Sequence, residues 1–406
     1  MNPLSAAAWA AALFLAANLF PHSVALRLAV LALGLALVAF ELARAKLAGR
    51  PAGVQALPPL LVPILLWAAW AALSILWSAE PDRSQKEFKN EVVYVFLGYW
   101  LCWVAAQAPG ARRAFGTVLG AGAVLACALG LYGYVMPAGH PSLLRLASGP
   151  GDQSSALLTL MPCALVAIWL SREEHAPRAL HRALWALPPL FLAAAYATLN
   201  RTVWLGFAVE LVVMAALLLP RPEFDPIRRL ARTKVLTALT AVALVGGVAL
   251  VMVQVQRDRV ELSPGAAVAK DPRFEIWASA MDTIQDHPVT GLGFGRGIDR
   301  RSLTEELGNP QFWHAHNLIL ETAVEAGLPG AALLLLLICA AAYRGWRLAR
   351  SADAPAAAYG TALVVGVAGM FLRNMTDTLL VRQNALLFWG VGALLLGLGA
   401  AASRRG

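Results

Sequence analysis

Apolar residues in this chain run continuously for about the length of a membrane crossing before a short polar break interrupts them. The runs 57–77, 114–136, 236–256 and 329–343 carry almost no charge. Each is long enough, or nearly so, to traverse a hydrocarbon layer about 30 Å thick. Strand-like alternation is absent and the runs are rich in Leu and Ala, so the pattern predicts a helical bundle and not a membrane barrel. Twelve spans follow, near 4–20, 23–41, 57–77, 92–107, 114–136, 154–171, 183–199, 202–220, 236–256, 317–343, 355–372 and 383–402. The first run has no basic segment ahead of it and a second follows almost at once, so it reads as a span and not as a signal peptide. The fold class expected is an all-α integral membrane protein, a single polytopic domain over 1–406. Within it, the long loop 257–316 separates the ninth and tenth spans.

Composition strengthens this picture. Of the 406 residues 59% are hydrophobic and 14% charged, and the mean hydropathy is +0.62, where a soluble domain carries roughly 25% charged residues. The 24 prolines and 33 glycines do not imply disorder, because bilayer helices tolerate both. Cys102, Cys127, Cys163 and Cys339 all fall inside apolar runs without metal-ligand spacing, and read as small packing residues.

The formal charge of +9 is a topology signal. With the N-terminus inside, the alternate short loops and the tail gather Arg44, Lys46, Arg50, Arg112, Arg113, Arg172, Arg178, Arg182, Arg221 and the basic cluster 228–234. Arg344, Arg347, Arg350, Arg404 and Arg405 join them. The opposite loops hold only Arg83, Lys86, Lys89, Arg145, Arg201, Arg373 and Arg382. The asymmetry predicts both termini in the cytoplasm and the 257–316 loop outside. No basic tract interleaved with aromatics accompanies the charge, so nucleic acid is excluded as a partner.

The long loop carries its own pattern. RFEIWASAMDTIQ, from Arg273 to Gln285, sets Phe274, Trp277, Met281 and Ile284 on one helical stripe behind the start signal Asp271-Pro272. It reads as a helix lying on the bundle or at the interface. HPVTGLGFGRG follows, with Gly291, Gly293, Gly295 and Gly297. No strand precedes these glycines and no Lys-Ser/Thr pair follows, so they are not a nucleotide loop. Their use is to turn backbone tightly beside a ligand or a helix.

Trp313-His314-Ala315-His316-Asn317 then stands where outer water meets a bundle helix. Residues at i and i+2 do not share a helix face, and no third ligand lies nearby in sequence, so the pair does not predict a metal site. A neutral imidazole at that boundary can instead accept a hydroxyl proton, or can simply cap the helix. Arg201, between two apolar runs, is a costly charge near a membrane and needs a partner. The same holds for Arg273, and for Arg373, Asp377 and Arg382 between the last two spans. Internal ion pairs are one answer; a bound pyrophosphate, which guanidinium groups grip bidentately, is the other.

Taken in order, NRTVWLGF, RFEIWASAMDTIQDHPVTGLGFG and HAHNLILETAVEAGLPG resemble the O-antigen ligase and polymerase superfamily, as does the upstream LSILWSAEPDRS. That resemblance implies a GT-C-like glycosyltransferase bundle in the bacterial inner membrane with a periplasmic active site. The implied reaction is metal-independent, inverting transfer of O-antigen from undecaprenyl pyrophosphate to a sugar hydroxyl of lipid A-core, in lipopolysaccharide biosynthesis. No cofactor is implied; the partners are the two glycolipids and membrane lipids. By the same resemblance His316 is the catalytic base, and Arg201 and Arg273 hold the pyrophosphate. His314, Asn317, Asp377, Arg382 and Lys86 are possible supporting residues. O-antigen polymerase and protein O-oligosaccharyltransferase remain alternatives within the superfamily. A lipid-linked glycan flippase or other transporter is the alternative outside it.

Overall fold

The computed structural model describes residues 2–136, 147–219, 273–308 and 313–404, with 145, 221 and 246 as isolated positions. Apart from residue 246, the expected span 236–256 lies outside the described residues, as do 257–272 and the start signal Asp271-Pro272. All regular structure among the described residues is helical.

Helix α1 (Pro3–Ala17) starts where the Asn2 side chain accepts from the Leu4 amide and Pro3 fills the first turn. It is followed by α2 (Val24–Leu47) and α3 (Leu61–Leu73), the latter ending in a 3-10 turn, Ser74–Trp77. The segment after it is not a loop. It forms α4 (Pro81–Phe88), which runs through a π-helical turn, Lys89–Val93, into α5 (Tyr94–Ala106). Next come α6 (Ala111–Val135) and α7 (Pro150–Glu173).

The span expected at 183–199 is two short helices, α8 (Arg178–Trp185) and α9 (Leu187–Ala197). Pro188 and Pro189 cannot donate back into the preceding turn, so a new helix begins at Leu187. The remaining elements are α10 (Arg201–Leu218), α11 (Arg273–Asp286), α12 (Arg300–Leu307), α13 (Leu318–Ala349), α14 (Ala354–Asn374) and α15 (Arg382–Ala402).

Seven of these helices are long and apolar enough to cross a membrane, namely α2, α6, α7, α10, α13, α14 and α15; α1 and the 61–77 segment are shorter apolar helices. The protein is a multi-pass membrane protein. Its most enclosed members are α7, α14 and α15, with 72%, 72% and 78% of the apolar window buried, against 17% for α10. Helix α14 is central and packs on α7, α10, α13 and α15. Lipid offers helices little hydrophobic incentive to associate, so close contact depends on small residues. Accordingly Gly360 of α14 lies against the α13 backbone at Gly345 and Leu348, and Gly369 against Glu210 of α10.

This packing defines two ends. Helices α7, α10, α13 and α15 begin, and α14 finishes, at one end, tied by Gln383 and Asn384 donating to Asp152 at 2.9 and 2.8 Å. At the other end Arg404 reaches Gln107 (2.8 Å), Arg112 pairs with Glu174, and Arg221 donates to the Ala349 carbonyl.

Candidate active site

The first end is built around a break in α13. Gly327 has φ +70° and ψ 178°, splitting the helix before Pro329. A break leaves the last carbonyls of the first half without intrahelical partners. Leu292 N–H donates to Val324 O (2.8 Å), Gly293 N–H to Glu325 O (2.9 Å) and the Trp70 indole to Ala326 O (2.7 Å). The glycine-rich segment is therefore the cap of a broken membrane helix. At Gly291 a Cβ would collide with the backbone of Val324, Glu325 and Gly327, which explains the residue chosen there.

The same segment binds the stretch from the 3-10 turn into α4. Ala79 N–H donates to Leu292 O (2.9 Å), Trp77 to Thr290 O (2.8 Å) and Arg83 to Arg296 O (2.8 Å). Helix α11 closes the other side with only part of the expected stripe. Ile284 is buried and the Trp277 indole reaches Ala315, but Phe274 and Met281 are exposed, and Ile276 and Ala280 are buried in their place. The packed face meets Ala323 and Val324 on α13, where small residues allow close approach, so the bulky side chains are turned outward.

The half-helix thus secured presents the histidines. Asn317 accepts from the Ile319 and Leu320 amides at 3.0 and 3.2 Å, capping α13, while its own amide donates to Met375 O at 3.1 Å. One side chain both starts the helix and joins it to the α14–α15 turn. Glu321 reaches back to accept from Ala315 N–H (2.5 Å) and Gly297 N–H (3.2 Å), and the Trp277 indole donates to Ala315 O (2.9 Å). Between these anchors His316 holds φ +48°, a left-handed conformation costing about 1–3 kcal/mol for a residue with a side chain. The strain fixes where its ring points.

That ring meets Asp377. His316 Nδ1 lies 3.3 Å from Asp377 Oδ1, while Arg373 donates to Oδ2 at 3.4 Å and Thr378 N–H to Oδ1 at 2.9 Å. Burial pushes the Asp377 carboxyl up, but the hydrogen bond from His316, the Arg373 charge and the Thr378 amide outweigh it and hold the group well below the usual carboxylate range. With a carboxylate accepting at Nδ1, the His316 tautomer leaves its Nε2 lone pair available.

His314 is different. It is 4% exposed, its Nδ1 accepts from the His316 amide (3.1 Å), and Nε2 lies 3.3 Å from the Arg296 guanidinium, which itself covers Trp313 at 4.7 Å. Burial first, then the neighbouring His316 ring and the Arg296 guanidinium, lower the His314 pKa to about 3, so its ring is neutral. Behind the pair, a cavity of about 60 Å³ is lined by Glu91, Glu321, Glu325 and Thr378 among others. It has room for a few waters. The Thr378 hydroxyl, which has no partner among the described residues, lines it.

The structure thus unites His314, His316, Asn317 and Asp377. Arg273 opens α11 and lies within electrostatic reach of Arg373. Arg201 opens α10. Since Glu210 faces Gly369, a rise of about 1.5 Å per residue sets Arg201 at the level of Asp377, across α14. Arg382, at φ +49°, lies 3.7 Å from Glu87. Lys86 is exposed on α4. Asp377 also supplies the third ligand type that is lacking near the histidines in sequence; with His314 and His316 it forms the one potential metal-ligand trio among the described residues.

A family profile described as O-Antigen ligase matches residues 189–335, a segment running from α9 through Arg201, Arg273, the glycine-rich cap and both histidines into α13. An O-antigen ligase from Pseudomonas aeruginosa is 29% identical over 367 residues, covering 86% of this chain and 80% of that protein. Both comparisons find the chain similar to the O-antigen ligase superfamily. That likeness implies a glycosyltransferase-like membrane enzyme. The profile ends before Arg373, Asp377 and Arg382, which reach the site only through the packing of α14 and α15 on α13. Two residues of the site, Arg296 and Glu321, do not stand out in the sequence reading. A carboxylate on an apolar span is a usable signal for such a role, and Glu321 carries it; an Arg within a glycine run carries none.

Proposed function

We propose that this protein is an O-antigen ligase that moves O-antigen from undecaprenyl pyrophosphate to a hydroxyl of lipid A-core, with inversion and without a metal ion. The observation that carries this reading is the Arg373–Asp377–His316 chain at the mouth of the broken helix α13. Asp377 accepts from His316 Nδ1–H, so Nε2 takes the proton of the acceptor hydroxyl as its oxygen attacks the anomeric carbon. The glycosyl–phosphate bond breaks on the opposite side of the sugar. Arg201 and Arg273 receive the pyrophosphate, spreading positive charge where negative charge develops. Arg373, committed to Asp377, orients the base.

The basic residues gathered at the far end support a cytoplasmic location for that end and both termini, and a periplasmic location for the site. The twelve-span, GT-C-like bundle in the inner membrane belongs to the same proposal.

The test is transfer of polymer to lipid A-core by purified protein with chelator present, comparing wild type with His316→Ala and Arg201→Ala. Transfer by wild type alone is expected. Equal transfer by folded His316→Ala, or none by wild type, sinks the reading. Chain lengthening of lipid-linked glycan without transfer to core would point to polymerase.

A further inference from the structure

The trio His314, His316 and Asp377 has a second use. Each offers one ligand atom, and the three atoms lie within 4.8 Å of one another. Tetrahedral zinc, with bonds of about 2.0–2.2 Å to nitrogen and oxygen, sets its ligands about 3.3–3.5 Å apart. His316 Nδ1 and Asp377 Oδ1 already stand at 3.3 Å, the length of one tetrahedral edge. Exchange of their shared proton for a metal ion therefore needs little movement of either side chain.

The surroundings suit this exchange. Ligating carboxylates in zinc sites are characteristically held by an outer donor; Arg373 grips Asp377 through Oδ2, and Oδ1, which accepts from Thr378 N–H, keeps a second lone pair for the metal. His314 has no acceptor committed to it among the described residues. One ring nitrogen faces the His316 amide and the other the Arg296 guanidinium, both donors. A neutral imidazole carries one N–H and one lone pair, so one contact sets donor against donor, and reorientation onto a cation sacrifices only a single hydrogen bond. Helix α13 supplies a rigid edge, since Asn317 caps it and Glu321 fastens Ala315. His316 and Asp377 keep 25% and 22% of their side chains exposed, so an ion can enter.

We propose that His314, His316 and Asp377 bind one zinc-class divalent ion, which arrests transfer by taking the Asp377 carboxylate and the imidazole away from base catalysis. Binding stands on geometry alone; only the arrest rests on the ligase reading. Two imidazoles and one carboxylate select borderline ions such as Zn²⁺ and Co²⁺ over Mg²⁺ and Ca²⁺, which prefer all-oxygen shells.

The test uses full-length, tag-free protein in detergent, stripped with chelator and titrated with Zn²⁺ by calorimetry and with Co²⁺ by visible absorption. One ion per chain is expected, with the intense visible bands of four-coordinate cobalt. Binding weakens at least tenfold in His314→Gln and in Asp377→Asn, and is unchanged in His181→Gln at the far end. Should those variants misfold, wild-type protein treated with diethylpyrocarbonate provides the second readout. Zn²⁺ then protects the 313–317 peptide, while His181 stays reactive. Absence of stoichiometric binding, equal affinity in the folded variants, or unprotected His314 and His316 overturns the proposal. Binding without inhibition of transfer would retain the site and remove the arrest.

Discussion

The two ends of the bundle handle charge in opposite ways. At the far end Arg112 and Glu174 pair while keeping 52% and 37% of their side chains exposed. Solvent carries most of their hydration, and such pairs contribute little. At the site end Arg373 is 2% exposed and His314 4%, and each is met by a specific partner across helices or along the strained turn. Charge at the far end can set topology without precise geometry. At the site end it has to be positioned by packing, because a buried ion without a partner costs several kcal/mol.

That contrast can be broken most sharply at Asp377. Asp377→Asn keeps the shape but removes the acceptor that sets the His316 tautomer, and kcat for transfer should fall about 10²- to 10⁴-fold. A change under tenfold would mean that His316 does not act as base. Because the folded carboxyl titrates below the unfolded value, its stabilising share is complete above that value, near pH 3.8, and is lost as pH falls through the folded one. Transfer measured from pH 5 to 9 should accordingly carry no Asp377 limb.

Next in size is a change that touches no charge. Gly327→Ala must adopt φ +70° and drive a methyl group into the Val289 carbonyl. A loss of about 2–4 kcal/mol is expected, seen as a lower melting temperature in detergent together with lost transfer. An unchanged melting temperature would mean that the α13 break does not hold the site end together.

His314 sharpens the comparison through pH. Its folded pKa of about 3 lies below the free imidazole value of 6.5, so between these values the unfolded chain takes up a proton that the folded one refuses. Stability should fall as pH drops across that window, by up to about 1.4 kcal/mol per unit. His314→Gln should reduce this slope, and an identical slope in thermal melts would exclude His314 as its source. Least affected should be the far end. Arg112→Ala breaks the pair with Glu174, whose carboxyl is lowered chiefly by that hydrogen bond. The exposed pair contributes less than about 1 kcal/mol, present above pH 4.5 and lost below it. Transfer should stay within twofold of wild type, and a larger loss would show that the ends are coupled.

Much of the site is legible in the amino-acid sequence alone. The apolar runs place most helices, and the HAHN motif, Arg201 and Arg273 stand out because charge and imidazole are expensive beside hydrocarbon. The paired prolines at 188–189 are equally visible, yet mean hydropathy passes over them because it does not register a lost donor. On α11 the size of Phe274 and Met281 places them with Ile284 on the expected stripe, whereas the buried face pairs Ile284 with Ile276 and Ala280; in lipid the larger apolar residues need not be the buried ones.

By itself the sequence determined that the chain lives in a membrane, that it is helical, that its two ends differ in charge, and which family it resembles. Each of these follows from local composition or short motifs. Tertiary structure decided that Asp377 reads His316 from 61 positions away, that Arg373 serves this carboxylate, and that the glycine segment caps a broken helix. Each depends on which helices neighbour one another, and hydropathy, being blind to the direction in which a helix faces, does not encode that choice.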